Sequence, residues 1–80
     1  MNREPRPFVV LGFGSTHDAL DAEALLEDLG IDVVPVPAPK ALGALCGIAL
    51  RVAPEQAERA EKYLSRAAIK VVGTTRIEDV

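Results

Sequence analysis

The chain has one cysteine, Cys46, and one histidine, His17, and these two residues set most of the chemistry open to it. A thiol reacts as its thiolate, which a nearby positive charge or helix amino terminus favours. Gly47 follows Cys46 and removes a side chain beside the sulfur, so a partner's backbone could come close. His17 could accept the thiol proton or donate to a bound sulfur, provided it lies within hydrogen-bond reach. Ser15 and Thr16 read as helix caps rather than catalytic hydroxyls, since no His–Asp arrangement supports a serine nucleophile. The stretch Gly12-Phe13-Gly14-Ser15-Thr16 could form an anion nest before a helix. It lacks the lysine and spacing of a phosphate-binding loop and the third glycine of a dinucleotide fingerprint. One Cys and one His cannot fill a tetrahedral zinc shell, and no Cys-x-x-Cys exists for copper. No metal and no cofactor is expected.

Composition narrows the setting. Eighty residues, 49% hydrophobic and 26% charged, suit one small globular domain with little room for an internal substrate cavity. A net charge of −3 and 4% aromatic residues argue against nucleic acid, which needs a basic face and stacking side chains. A single cysteine cannot form an internal disulfide, so no oxidising compartment is implied. The apolar run Phe8 to Phe13 is too short for a secretory core or a membrane span. A cytoplasmic protein that does not enter a membrane is expected.

Four strands and two helices can position these residues. Residues 1–7 carry two prolines and alternating charges, and read as a flexible lead-in. Phe8 to Phe13 is apolar at nearly every position and predicts a central strand covered on both faces. Ser15 to Leu29 predicts a helix, with Ala19, Ala22, Leu25, Leu26 and Leu29 in its stripe and Gly30 ending it. Ile31 to Val36 predicts a second strand. Pro35, Pro37 and Pro39 alternate, so their missing donors share one side, and that strand belongs at an edge. A loop over 38–47 leads to a third strand, Ile48 to Val52. Pro54 opens a second helix with Ala57, Ala60, Leu64, Ala67 and Ala68 as its stripe. Lys70 to Ile77 predicts the fourth strand, and residues 78–80 a tail.

The order β-α-β-β-α-β predicts an α+β, ferredoxin-like domain over residues 8–77. Its four-stranded antiparallel sheet would have order 4-1-3-2, with both helices on one face. The other face would then expose apolar side chains of the first strand, a surface for a partner or a homodimer. In this topology the first strand ends at the rim where the third begins. Cys46 is therefore expected near the start of the first helix, with Lys40 and Lys70 able to add positive charge. A helical turn over Lys40 to Leu45 would oppose that, since Cys46 would sit at its negative end.

The chain resembles a family of small bacterial domains described as selenium/sulfur carrier-like proteins. The resemblance runs from about Phe8 to Gly73. It rests on Phe13-Gly14-Ser15-Thr16-His17-Asp18-Ala19-Leu20 with Glu23, on Pro37-Ala38-Pro39, and on Cys46-Gly47-Ile48-Ala49-Leu50-Arg51. In that family the Cys before Gly is the proposed chalcogen-bearing residue, and here it falls on Cys46. The resemblance implies a persulfide or perselenide carrier, rather than an enzyme, that works between donor and acceptor proteins. Family members often have a charged, hydroxyl-rich stretch before that Cys, whereas this chain has Lys40-Ala41-Leu42-Gly43-Ala44-Leu45. So apolar a loop either docks a different partner or packs down on its own domain.

Two functional classes follow from the residues. In the first, Cys46 holds sulfur or selenium, His17 assists, and Ser15, Thr16, Gly47 and Lys40 line the binding rim. The alternative is a non-catalytic module for a small anion, a metabolite or another protein, with a structural cysteine. Thiol reactivity separates the two.

Overall fold

A computed structural model describes residues 4–42 and 47–79. The elements are β1 (Arg6–Phe13), α1 (Thr16–Asp28), β2 (Val33–Pro37), a single 3₁₀ turn (Lys40–Leu42), β3 (Ile48–Val52), α2 (Pro54–Arg66) and β4 (Val71–Asp79). All strand pairings are antiparallel, in the order β2-β3-β1-β4. Read from the other edge this is the expected 4-1-3-2, and the element order is that of ferredoxin-like domains.

Strand alternation divides the sheet into two faces. Val9, Leu11 and Phe13 of β1 join Leu50 and Val52 of β3 on one face. They pack there against Ala19, Ala22 and Leu26 of α1 and Ala57, Ala60 and Leu64 of α2. Both helices therefore lie on that face, and small alanines let them approach the sheet closely. Ala67 and Ala68, expected in the α2 stripe, are exposed because the helix stops at Arg66 and they form the turn after it.

The two helices end in the same way. After α1, Gly30 donates to the Glu27 carbonyl and Ile31 to the Leu26 carbonyl, at 3.0 and 2.9 Å. After α2, Ala68 donates to Ser65 and Ile69 to Leu64, at 3.1 and 2.9 Å. Both turning residues have positive φ, 79° at Gly30 and 60° at Ala68. Glycine adopts that conformation freely, whereas alanine places its Cβ against the following carbonyl. Ile31 is thereby drawn into the core at 2% exposure, and β2 begins two residues later than its sequence suggests.

Strands β1 and β4 reach further than expected. They take in Arg6 and Pro7 at one end, and Glu78 and Asp79 at the other. Pro7 lies opposite Glu78, beyond the last pairing of β1 with β3, which is Val9 with Val52. Its missing N–H therefore breaks no bond to β3. The edge position of β2 agrees with its prolines: Pro35 and Pro37 alternate with Val34 and Val36, and only the valines can donate to β3.

The face away from the helices corrects one expectation. The topology predicts exposed apolar side chains of β1 there, whereas the strand's own apolar pattern predicts cover on both faces; the pattern holds, with Phe8 8% exposed and Val10 fully buried. Two devices cover them. The chain after β2 turns back over the sheet, and Leu42 buries itself against Val10 and Ala49, with Val36, Ala38 and Ile77 around them. Over Phe8 lies the Arg51 guanidinium, 4.1 Å from the ring centroid, its Nη1 2.8 Å from the Asp79 carboxylate. A cation held over an aromatic face covers the ring without a second apolar layer, here at the cost of a buried Arg51 Nε that has no hydrogen-bond partner. The β1 side chains expected to offer a partner or homodimer surface are thus covered by the chain itself, while Val34 of β2 stays 43% exposed on the same face. Among the described residues no helix is long and apolar enough to cross a membrane.

Candidate functional site

Strand directions bring four ends to one rim of the sheet. Strand β1 ends there at Phe13, β2 ends at Pro37, and β3 and β4 begin there at Ile48 and Val71. The β1–β3 register pairs Gly12 with Ala49, and continuing it by two residues brings Gly14 level with Gly47. The start of α1 and the start of β3 thus meet at the rim, as the topology required. Cys46 lies outside the described residues. Gly47, the next residue in the chain, is exposed, and its carbonyl accepts from the Ala38 N–H at 3.0 Å. That bond prolongs the β2–β3 hairpin, following the Val34–Arg51 and Val36–Ala49 pairs in phase.

At the head of α1, the Ser15 hydroxyl accepts from the Asp18 N–H at 3.1 Å, with Ser15 extended at φ −150°. Ser15 is therefore a helix cap. Its hydroxyl satisfies one of the four unpaired N–H groups of the first turn, and the positive end of the helix remains at the rim. Thr16 is exposed as the first helical residue. His17 is exposed too, and its Nε2 lies 3.2 Å from the Asp21 carboxylate one turn on. Its partner in this structure is on its own helix. Asp21 was legible as a partner from the i, i+4 spacing alone.

Lys40 is exposed at the start of the 3₁₀ turn, and Lys70 is exposed just before β4. Lys70 lines a shallow cleft of about 410 Å³ with Glu61, Ser65 and Ile69, beside the end of α2. Helix α2 ends at this rim, so its partial negative charge faces the same side as the positive start of α1. Each is local to its last or first turn, and Lys70 offsets the negative one. The rim is therefore electrostatically mixed. Charge steering there depends on which helix end a ligand approaches.

Sequence reasoning missed how the β2–β3 connection is anchored. The 3₁₀ turn crosses to the face opposite α1 and rests on β4 at Gly73. A Cβ placed on Gly73 would stand 2.5 Å from the Leu42 carbonyl oxygen. No real side chain tolerates that approach, so this glycine lets the connection lie flat. The apolar character of Leu42 was a visible signal for packing down, but its contact at Gly73 required the register. Among the described residues, no group of three or more His, Cys, Asp and Glu could hold a metal ion.

No curated protein and no solved structure shows significant similarity to the chain. Over residues 8–76, a span holding the Cys46-Gly47 pair, both helices, β2, β3 and most of β1 and β4, the chain matches one family model and belongs to the family described as "Putative Se/S carrier protein-like".

Proposed function

We propose that this protein carries sulfur or selenium on Cys46, as a persulfide or perselenide, between a donor and an acceptor protein in the cytoplasm. Family membership across residues 8–76 is the observation that carries the reading. The exposed Gly47 beside the α1 start supports it, because a partner must reach the atom being exchanged. In the loading step the Cys46 thiolate attacks the terminal sulfur of a donor persulfide. The donor's S–S bond breaks, the donor leaves as a thiolate, and Cys46 becomes the persulfide with no net oxidation. Attack by an acceptor thiolate on the outer sulfur repeats the exchange and returns the Cys46 thiolate. Nothing in the cycle requires the carrier to turn over a substrate.

Ser15 holds the α1 start in register, Thr16 and Gly47 flank the docking surface, and Lys40 adds positive charge to it. His17 serves as a proton acceptor or donor through Nδ1, or through Nε2 by leaving Asp21. Incubation with a cysteine persulfide donor, followed by intact-mass measurement, tests the proposal. One added sulfur is expected, lost in Cys46→Ser while the circular dichroism spectrum is retained. An unmodified wild-type mass would refute the reading. The rival reading, an interaction module with a structural cysteine, draws on the burial of Leu42 in the 3₁₀ turn four residues earlier. It predicts slow alkylation of Cys46 with an apparent pKa at or above the free-thiol value of about 8.5.

A further inference from the structure

We propose that the outer edge of β4 is a pairing surface for a second copy of this chain, the two joining antiparallel around Ile77 into one continuous sheet. The sheet has two edges, and they differ. Strand β2 carries Pro35 and Pro37 on its outer side, a common device against edge-to-edge pairing. Strand β4 runs nine residues from Val71 to Asp79 without proline or lysine.

The register shows which backbone groups β4 presents. Pro7 stands opposite Glu78 and has no N–H to exchange, so that pair is not hydrogen-bonded and Glu78 turns its N–H and C=O away from β1. Arg76, opposite Val9, and Thr74, opposite Leu11, share its phase. Beyond Gly73 the edge is interrupted, because the register with β1 shifts between Gly12 and Phe13. Thr74, Arg76 and Glu78 therefore form a regular outward-facing ladder, and no strand among the described residues pairs with it.

The occupant follows from the charges. Arg76 and Glu78 flank Ile77 and share one face of β4. An antiparallel copy related by a two-fold axis at Ile77 sets Arg76 of each chain directly opposite Glu78 of the other. Four backbone hydrogen bonds form, through the N–H and C=O of these two residues in each copy. Centring the pair on Arg76 would face arginine with arginine, and centring it on Thr75 would leave Arg76 opposite Thr74. Opposite charges in direct cross-strand pairs stabilise, and like charges do the reverse. This edge strand is complementary to itself.

So short an edge buries far less than the roughly 1,600 Å² of a standard interface, so the dimer is weak, with Kd on the order of 0.1–1 mM. Sedimentation velocity of Cys46→Ser, which removes thiol cross-linking, from about 0.01 to 2 mM brackets that range. The weight-average mass should rise with concentration toward the dimer. Arg76→Glu and Glu78→Arg should each weaken association at least about tenfold, and the double variant should restore it. Arg76→Pro removes only an outward N–H, so it should stay monomeric with a native circular dichroism spectrum. Three outcomes would overturn the proposal: a monomer throughout the range, dimerisation by Arg76→Pro equal to that of the parent, or single reversals without rescue. All of these measurements are made without the Cys46 thiol, so they stand or fall apart from the carrier reading.

Discussion

Replacing Gly73 with alanine tests how the 3₁₀ turn after β2 is held. The added Cβ would lie 2.5 Å from the Leu42 carbonyl oxygen and 3.4 Å from its carbon. Both are backbone atoms, so no side-chain rotation relieves the contact. Either β4 shifts, disturbing its long pairing with β1, or the 3₁₀ turn lifts. Lifting would expose Leu42, now 6% accessible, and uncover Val10 and Ala49 beneath it. Full burial of a leucine contributes about 1.5–3 kcal/mol, and overpacking typically costs about 1–3 kcal/mol. Against this, alanine loses less backbone freedom on folding than glycine, an offset of about 0.5–1 kcal/mol. A net destabilisation of about 1–2 kcal/mol is expected, which lowers the melting temperature by very roughly 5–15 °C in a domain this small. Urea unfolding followed by far-ultraviolet circular dichroism measures it. Combining the substitution with Leu42→Ala sharpens the test. If the turn lifts, the leucine's burial is already lost, so the double variant should cost less than the sum of the singles. Wild-type or greater stability for Gly73→Ala would refute the account of the anchored connection.

Two further predictions address the helix ends and the only tyrosine. Ala68 occupies, with φ 60°, the turning position that Gly30 fills after α1. Ala68→Gly should therefore stabilise the protein by about 1 kcal/mol, and a loss of stability in urea unfolding would contradict the strain argument. Tyr63 is the only tyrosine and there is no tryptophan, so its titration can be followed by absorbance alone. A hydrogen bond from Arg59 and the charge of that guanidinium hold the Tyr63 pKa below its ordinary 10.0. The phenolate is thus favoured in the folded state, and the unfolded chain binds more protons between the folded value and 10.0. This contribution is complete above the unfolded value and disappears as pH falls through the folded one. Arg59→Ala should move the midpoint upward; a wild-type midpoint at or above 10.0 would dispose of the interaction.

Much of the architecture was written in local pattern. Helical spacing marked the buried Ala19, Ala22 and Leu26, and Ser15 and Gly30 marked where α1 starts and stops. Alternating prolines put β2 at an edge, because a residue without an N–H cannot serve an interior ladder. The order of elements then limited the sheet to few topologies, and with it the meeting of the α1 start and the β3 start at one rim. Such features depend on neighbours in sequence, on chain connectivity, or on donors a residue type lacks.

Tertiary structure decided the rest. The covering of Phe8 by Arg51 and of Val10 by Leu42 joins residues distant in the chain, and no periodicity encodes it. A lone arginine in a strand looks solvent-exposed until a ring and a carboxylate converge on its guanidinium. Gly73 reads as a weak point in β4 until the carbonyl of Leu42 is seen where its side chain would be. The i, i+4 spacing puts Asp21 within reach of His17, but only the structure shows the imidazole making that contact, at 3.2 Å, along its own helix. Local sequence specifies what each segment can become. Which surfaces stay open is settled when segments distant in sequence compete for the same space.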